Sequence, residues 1–106
     1  LFPIDWPEPF GLVMIEAMSC GTPVVAWHCG SVPEVVDEGM TGFIVRDMDQ
    51  AVNAALAALR LDRHAVRCRF EQRFTVERMA RDYVDVYWRL LRDERARERA
   101  LTSRVA

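Results

Sequence analysis

Between Glu8 and Glu16 the chain carries no charge, and that stretch constrains everything around it. It runs Glu8-Pro9-Phe10-Gly11-Leu12-Val13-Met14-Ile15-Glu16-Ala17-Met18, so from Phe10 to Met18 only Glu16 is ionisable. A helix that is apolar nearly all round is normally buried. A carboxylate inside such a helix needs a polar partner, or it protonates. The pattern predicts a buried helix from Gly11 to about Cys20, ended by Gly21 in a left-handed cap, with something polar set against Glu16.

The rest of the chain reads as alternating elements. Leu1 to Ile4 has the character of a strand end stopped by Pro3, and Asp5 to Pro9 is a loop stiffened by two prolines. Thr22 to Trp27 is a short, continuously apolar strand of the kind covered on both faces in parallel sheets. His28-Cys29-Gly30 is a turn. Ser31-Val32-Pro33-Glu34 has the form of a capping box with proline in the first turn of a short helix. Phe43-Ile44-Val45 is a second buried strand. Asp47 or Asp49 caps a helix over Ala51 to Leu61, with Val52, Leu56 and Leu59 on one face. A helix follows from about Arg63 to Phe74. Thr75 then caps the longest helix, whose apolar residues from Val76 to Leu91 keep helical spacing to about Arg92. Residues 93–106 read as a charged helical or disordered tail, fraying beyond Arg92.

Strand, helix, strand, helix, with short Gly/Pro turns, defines an α/β fold with a parallel sheet. About three strands are expected, half of a Rossmann-like sheet that normally holds about six. Val24, Val25, Phe43 and Ile44 would then face missing neighbours. The piece alone is expected to be marginal, or to recruit another chain. The chain opens inside an apolar run without an initiating Met, so it is expected to be part of a longer protein.

Charge excludes some functions. Residues 1–59 hold eight acids against Arg46 alone, while residues 60–106 hold thirteen Arg against eight acids. Those Arg are interleaved with Asp and Glu, which fits a solvated helix face better than a nucleic-acid surface. The three cysteines, with no C-x-x-C, suit a reducing compartment and a cytoplasmic location. His64 and Cys68 share a helix face at i, i+4, but two ligands do not make a metal site. No apolar run approaches the roughly 20 residues of a membrane span.

The chemistry of Glu8 and Glu16 can be built from the helix itself. Pro9-Phe10-Gly11 leads into a helix N-terminus, where free N–H groups and the positive end of the dipole attract phosphate. Gly11 permits close approach to the backbone. Glu16 lies ~8 Å further along the axis, where a carboxylate can accept hydrogen bonds from a ribose diol. Glu8 reaches hydroxyls on the other side of the phosphate. The plainer readings are that Glu8 only balances the helix dipole and that Glu16 only faces solvent.

Glu8-Pro9-Phe10-Gly11-Leu12 through Glu16-Ala17-Met18, with Cys20 to Ala26, resembles the E-x7-E region of GT-B glycosyltransferases of the retaining, glycogen-synthase-like group, family 4. Gly30 to Val36 and Gly39 to Val45 resemble its next two segments in the same order, and Phe74 to Met79 with Tyr83 to Leu91 its closing helix. The resemblance covers residues 1–92, as the C-terminal portion of a donor-binding domain. It implies transfer from a nucleoside-diphosphate sugar to an acceptor hydroxyl with retention and without a bound metal. Glu16 would hold the ribose hydroxyls and Glu8 the transferred sugar. The N–H groups of Phe10, Gly11 and Leu12 would meet sugar or diphosphate, with Leu12 near the ribose. The basic residues that neutralise the diphosphate, and the acceptor domain, lie upstream in such enzymes, so the 106-residue chain alone is expected to be inactive. The competing expectation is a non-catalytic fragment that assembles with further copies through uncovered strands.

Overall fold

The computed structural model describes residues 1–105. It divides into two units, residues 1–74 and residues 75–105. In the first, α1 (Leu12–Ser19) leads to β1 (Val24–Trp27), α2 (Val32–Val35), β2 (Gly42–Val45), α3 (Met48–Ala58) and α4 (Arg63–Arg73). The second is a single helix, α5 (Val76–Val105).

β1 and β2 pair in parallel, Val24 opposite Gly42 and Trp27 opposite Val45. The segment expected to supply a third strand makes only a bridge, Phe2 to Ala26. Ile4 N–H, the next donor that could extend the ladder, turns back to the Phe2 carbonyl instead. Among the described residues the sheet is therefore two strands, with isolated bridges at Phe2–Ala26 and Glu38–Gly42.

Alternation along the strands sends side chains to both faces. Val24 and Ala26 join Met14, Met18, Val32, Val35, Val36 and Val66 in one core. Val25 and Val45 join Ala51 and Ala54 in another on the opposite face. Val24 and Val25 are thus buried by this unit's own helices, and Phe43 and Ile44 are half-buried. Of the four residues expected to face missing neighbours, Val24 and Val25 are covered, α3 lying on one face and α1, α2 and α4 on the other, while Phe43 and Ile44 stay partly exposed.

Two helix faces differ from the sequence reading. Met14 and Met18 of α1 are fully buried, whereas Leu12, Val13 and Glu16 are exposed. The helix lies against β1 and α4 on one side only. In α3 the core face is Ala51 and Ala54, and Val52, Leu56 and Leu59 point outward. Small side chains let α3 settle on the sheet, and they share helical spacing just as the larger set does. Its N-cap is Asp47, whose carboxylate accepts Gln50 N–H at 2.8 Å.

The arginines of α4 have a definite task. Arg67 donates to the Ser19 carbonyl, and Arg63 reaches Thr22 Oγ1 at 3.1 Å and the Cys20 carbonyl at 3.4 Å. Arg73 donates to the carbonyls of Glu34 and Val35. Guanidinium groups therefore satisfy the C-terminal carbonyls of α1 and α2, where the helix dipoles are negative. Arg63 and Arg67 remain exposed, as a solvated face requires, while Arg69 and Arg73 are half-buried.

In the second unit, Thr75 Oγ1 accepts Arg78 N–H at 3.2 Å, the expected cap. The helix continues past Arg92 to Val105, so of the helical or disordered tail expected the structure has the helical form. Its composition explains this, since residues 92–100 are Arg, Asp, Glu and Ala with no Gly or Pro. Ala106, the last residue of the expected tail, lies outside the described residues.

Candidate functional site

The expected site residues gather at the N-terminal end of α1. Gly11 is the N-cap, in the left-handed conformation with φ 73°. Its N–H donates to Glu8 Oε1 at 3.1 Å. The Glu8 carboxylate thus caps the helix whose positive end it faces, which is the bond the dipole-balancing reading also requires. Only one of its two oxygens is used there. The N–H groups of Leu12 and Val13 fall in the first turn, where α-helical geometry supplies no acceptor.

Glu16 is exposed, so the buried, partner-seeking carboxylate expected from the apolar pattern is not found. The reason is the one-sided packing of α1. Leu12, 63% exposed, is one turn ahead of Glu16 on the same outer face. Phe10 is held differently. Its ring meets Phe74 edge to face with centroids 6.4 Å apart, and its carbonyl accepts the Ser31 hydroxyl at 2.7 Å. Glu8 and Gly11 are brought into direct contact, Leu12 and Glu16 onto one face, and Phe10 is fixed between them.

Ser31 and Gly30 were not legible as site residues. The expected capping box does not form: the Ser31 hydroxyl accepts no N–H of α2 and donates to the Phe10 carbonyl. Ser31 N–H donates to the Glu8 carbonyl at 3.0 Å. Gly30 has φ +52°, and a Cβ there would stand 2.4 Å from the Glu8 carbonyl oxygen. Only glycine lets the two loops approach this closely. These contacts join residues more than twenty positions apart, and no local spacing announces them.

Elsewhere, Asp37 receives Arg69 Nε at 2.5 Å and Arg73 at 3.1 Å. The hydrogen bond from Arg69, then the charges of both guanidinium groups, hold its carboxyl below the usual range although partial burial opposes this. Asp37 raises the Arg69 pKa in return. Cys68 Sγ lies 3.6 Å from His64 Nδ1, and among the described residues no three His, Cys, Asp or Glu side chains converge on a metal position. No helix among them is long and apolar enough to cross a membrane.

A helix N-terminus at the end of a parallel α/β layer, lined by two carboxylates, is a setting for phosphate-bearing and hydroxylated ligands. Comparison with known proteins gives the class. The family profile described as "Glycosyl transferases group 1" matches residues 1–62. The N-acetyl-alpha-D-glucosaminyl L-malate synthase of Bacillus anthracis is 33% identical over 97 residues, covering 83% of this chain and 25% of that protein. The alpha-maltose-1-phosphate synthase of Mycobacterium tuberculosis is 41% identical over 95 residues, covering 76% and 24%. The D-inositol 3-phosphate glycosyltransferase of Saccharomonospora viridis is 40% identical over 87 residues, covering 76% and 20%. The chain belongs to the group 1 glycosyl transferases. It spans about a quarter of the length of the relatives it matches.

Proposed function

We propose that residues 1–92 are the C-terminal portion of the donor-binding domain of a retaining GT-B glycosyltransferase of family 4, acting on a nucleoside-diphosphate sugar. The observation that supports this most is the outer face of α1: Glu8 at the mouth of the helix, first-turn N–H groups beside it, and exposed Leu12 and Glu16 one turn behind. In this reading Glu16 accepts the ribose hydroxyls and Leu12 packs beside the ribose. The N–H groups of Phe10, Gly11 and Leu12 meet sugar or diphosphate, with Glu8 releasing or sharing its bond to Gly11 as the sugar arrives. Negative charge growing on the departing diphosphate is stabilised by the helix N-terminus and by cations from the remainder of the enzyme, without a bound metal. Acceptor binding also belongs to that remainder, so the 106-residue chain alone is inactive.

The test uses the intact protein. Glu16→Ala should weaken binding of the donor found among UDP-, GDP- and ADP-sugars by about tenfold or more, read by calorimetry. Glu8→Ala should lower kcat more than it raises KM, because its partner is the reacting sugar. Unchanged donor affinity in Glu16→Ala would remove the ribose role.

The competing reading, a fragment that assembles through open strands, meets an obstacle on β2. Ile44 N–H, on the outer edge, donates to Glu38 Oε2 at 2.8 Å, and the Gly42 carbonyl accepts Gly39 N–H at 2.8 Å. With these two groups occupied, that edge is a poorer template for another strand.

A further inference from the structure

We infer that Ser31 is a positioning residue for the donor loop, holding Glu8 to Leu12 in the shape that presents their N–H groups; this rests on the function proposed above. Ser31 is 6% exposed and spends both of its donors on one short segment. Its N–H holds the Glu8 carbonyl at 3.0 Å, and its hydroxyl holds the Phe10 carbonyl at 2.7 Å. Those two carbonyls flank Pro9, so the Glu8–Pro9 and Phe10–Gly11 peptide planes are both oriented from one residue. Turning the Phe10 carbonyl toward Ser31 turns the Gly11 N–H, in the same peptide plane, the opposite way. That N–H then points to the Glu8 carboxylate. Gly30 brings the two loops close enough for both bonds to form.

A serine kept only for helix α2 would accept one of that helix's N–H groups with its hydroxyl oxygen. Here the oxygen accepts none, and the hydroxyl donates to the loop. Loss of the hydroxyl leaves the Phe10 carbonyl unpaired in a half-buried place and frees the peptide that carries the Gly11 N–H. The groups disturbed are those proposed for the diphosphate and sugar. Glu16, on the far side of the helix turn, keeps its place.

The experiment compares nucleoside diphosphates with monophosphates on the intact protein. UDP, GDP and ADP, with UMP, GMP and AMP, are titrated by calorimetry, and the preference for diphosphate over monophosphate is the readout. Ser31→Ala should reduce that preference about tenfold while monophosphate affinity changes less than about twofold. Ser31→Thr, which keeps a hydroxyl, should restore it. A folded Ser31→Ala protein with the wild-type preference would overturn the inference. Should Ser31→Ala fail to fold, Ser31→Cys, a weaker donor of similar size, should show a partial loss; no loss there overturns it equally. Failure of the underlying function looks different: the wild type would bind none of the diphosphates, or Glu16→Ala would leave monophosphate affinity unchanged.

Discussion

Residues 1–74 and residues 75–105 use apolar side chains in opposite ways. In the first unit Met14, Met18, Val32 and Val66, from three different helices, are at most 1% exposed. In α5 the apolar residues Val76, Met79, Tyr83, Tyr87 and Leu90 are between 53% and 71% exposed. The first unit is held by contacts between distant segments, including arginines of α4 on the carbonyl ends of α1 and α2. The second is held by local terms: the Thr75 cap, the Arg78–Asp82 pair at i, i+4, and good helix formers. A site can be built only where distant segments meet, and the candidate site lies in the first unit.

The largest expected difference comes from one residue type in both settings. Met18 is 0% exposed and Met79 is 53% exposed. Met18→Ala should destabilise the intact protein by about 3 kcal/mol, through lost burial and the cavity left behind. Met79→Ala should cost under about 0.5 kcal/mol if α5 is as open in the intact protein as it is here. Denaturant melts with hydrogen exchange on both segments would read this. Equal costs would break the comparison and show that the apolar face of α5 is covered in the intact protein.

A backbone test comes next in size. Gly30→Ala should cost about 2 kcal/mol, because its φ of +52° penalises a side chain and the Cβ would press on the Glu8 backbone. The cost should be global and should also impair donor binding. Ala80→Gly, at an exposed position of α5, should cost about 1 kcal/mol of helix propensity and leave donor binding intact. Thermal melts and calorimetry together separate the two. A Gly30→Ala protein that binds donor normally would show that the loop does not depend on that close approach.

Much of this organisation was legible locally. Gly21 does take the left-handed cap after α1, Asp47 and Thr75 do cap their helices, and the two apolar runs are parallel strands. Each signal is a residue acting on its own neighbours. What escaped depends on tertiary placement. The exposed face of α1 follows from packing on one side, and the face α3 buries was a choice between two sets with helical spacing. Ser31 matched a local capping pattern and was claimed by a loop twenty-one residues away. Three Arg of α4 also reach backbone carbonyls at the ends of α1 and α2, acceptors that sequence does not mark.

The smallest expected effect concerns charge. Asp37 is 30% exposed and bonded to two guanidinium groups from α4, whereas Asp82 of α5 is 55% exposed and bonded to one. Asp37→Asn should cost about 1 kcal/mol at neutral pH, since hydrogen bonds to a partly desolvated charge are lost. Asp82→Asn should cost about 0.3 kcal/mol, as exposed helical pairs do. The pH dependence separates them further. The folded-state pKa of Asp37 lies below its unfolded value, so its contribution is complete above that unfolded value, about 3.9. It is lost as the pH falls from there through the lower folded value. The wild-type protein should therefore shed this part of its stability only below about pH 4. The Asp37→Asn protein, lacking the titrating group, should fall less steeply over the same range. Parallel acid profiles would mean that the Asp37–arginine cluster adds no linkage.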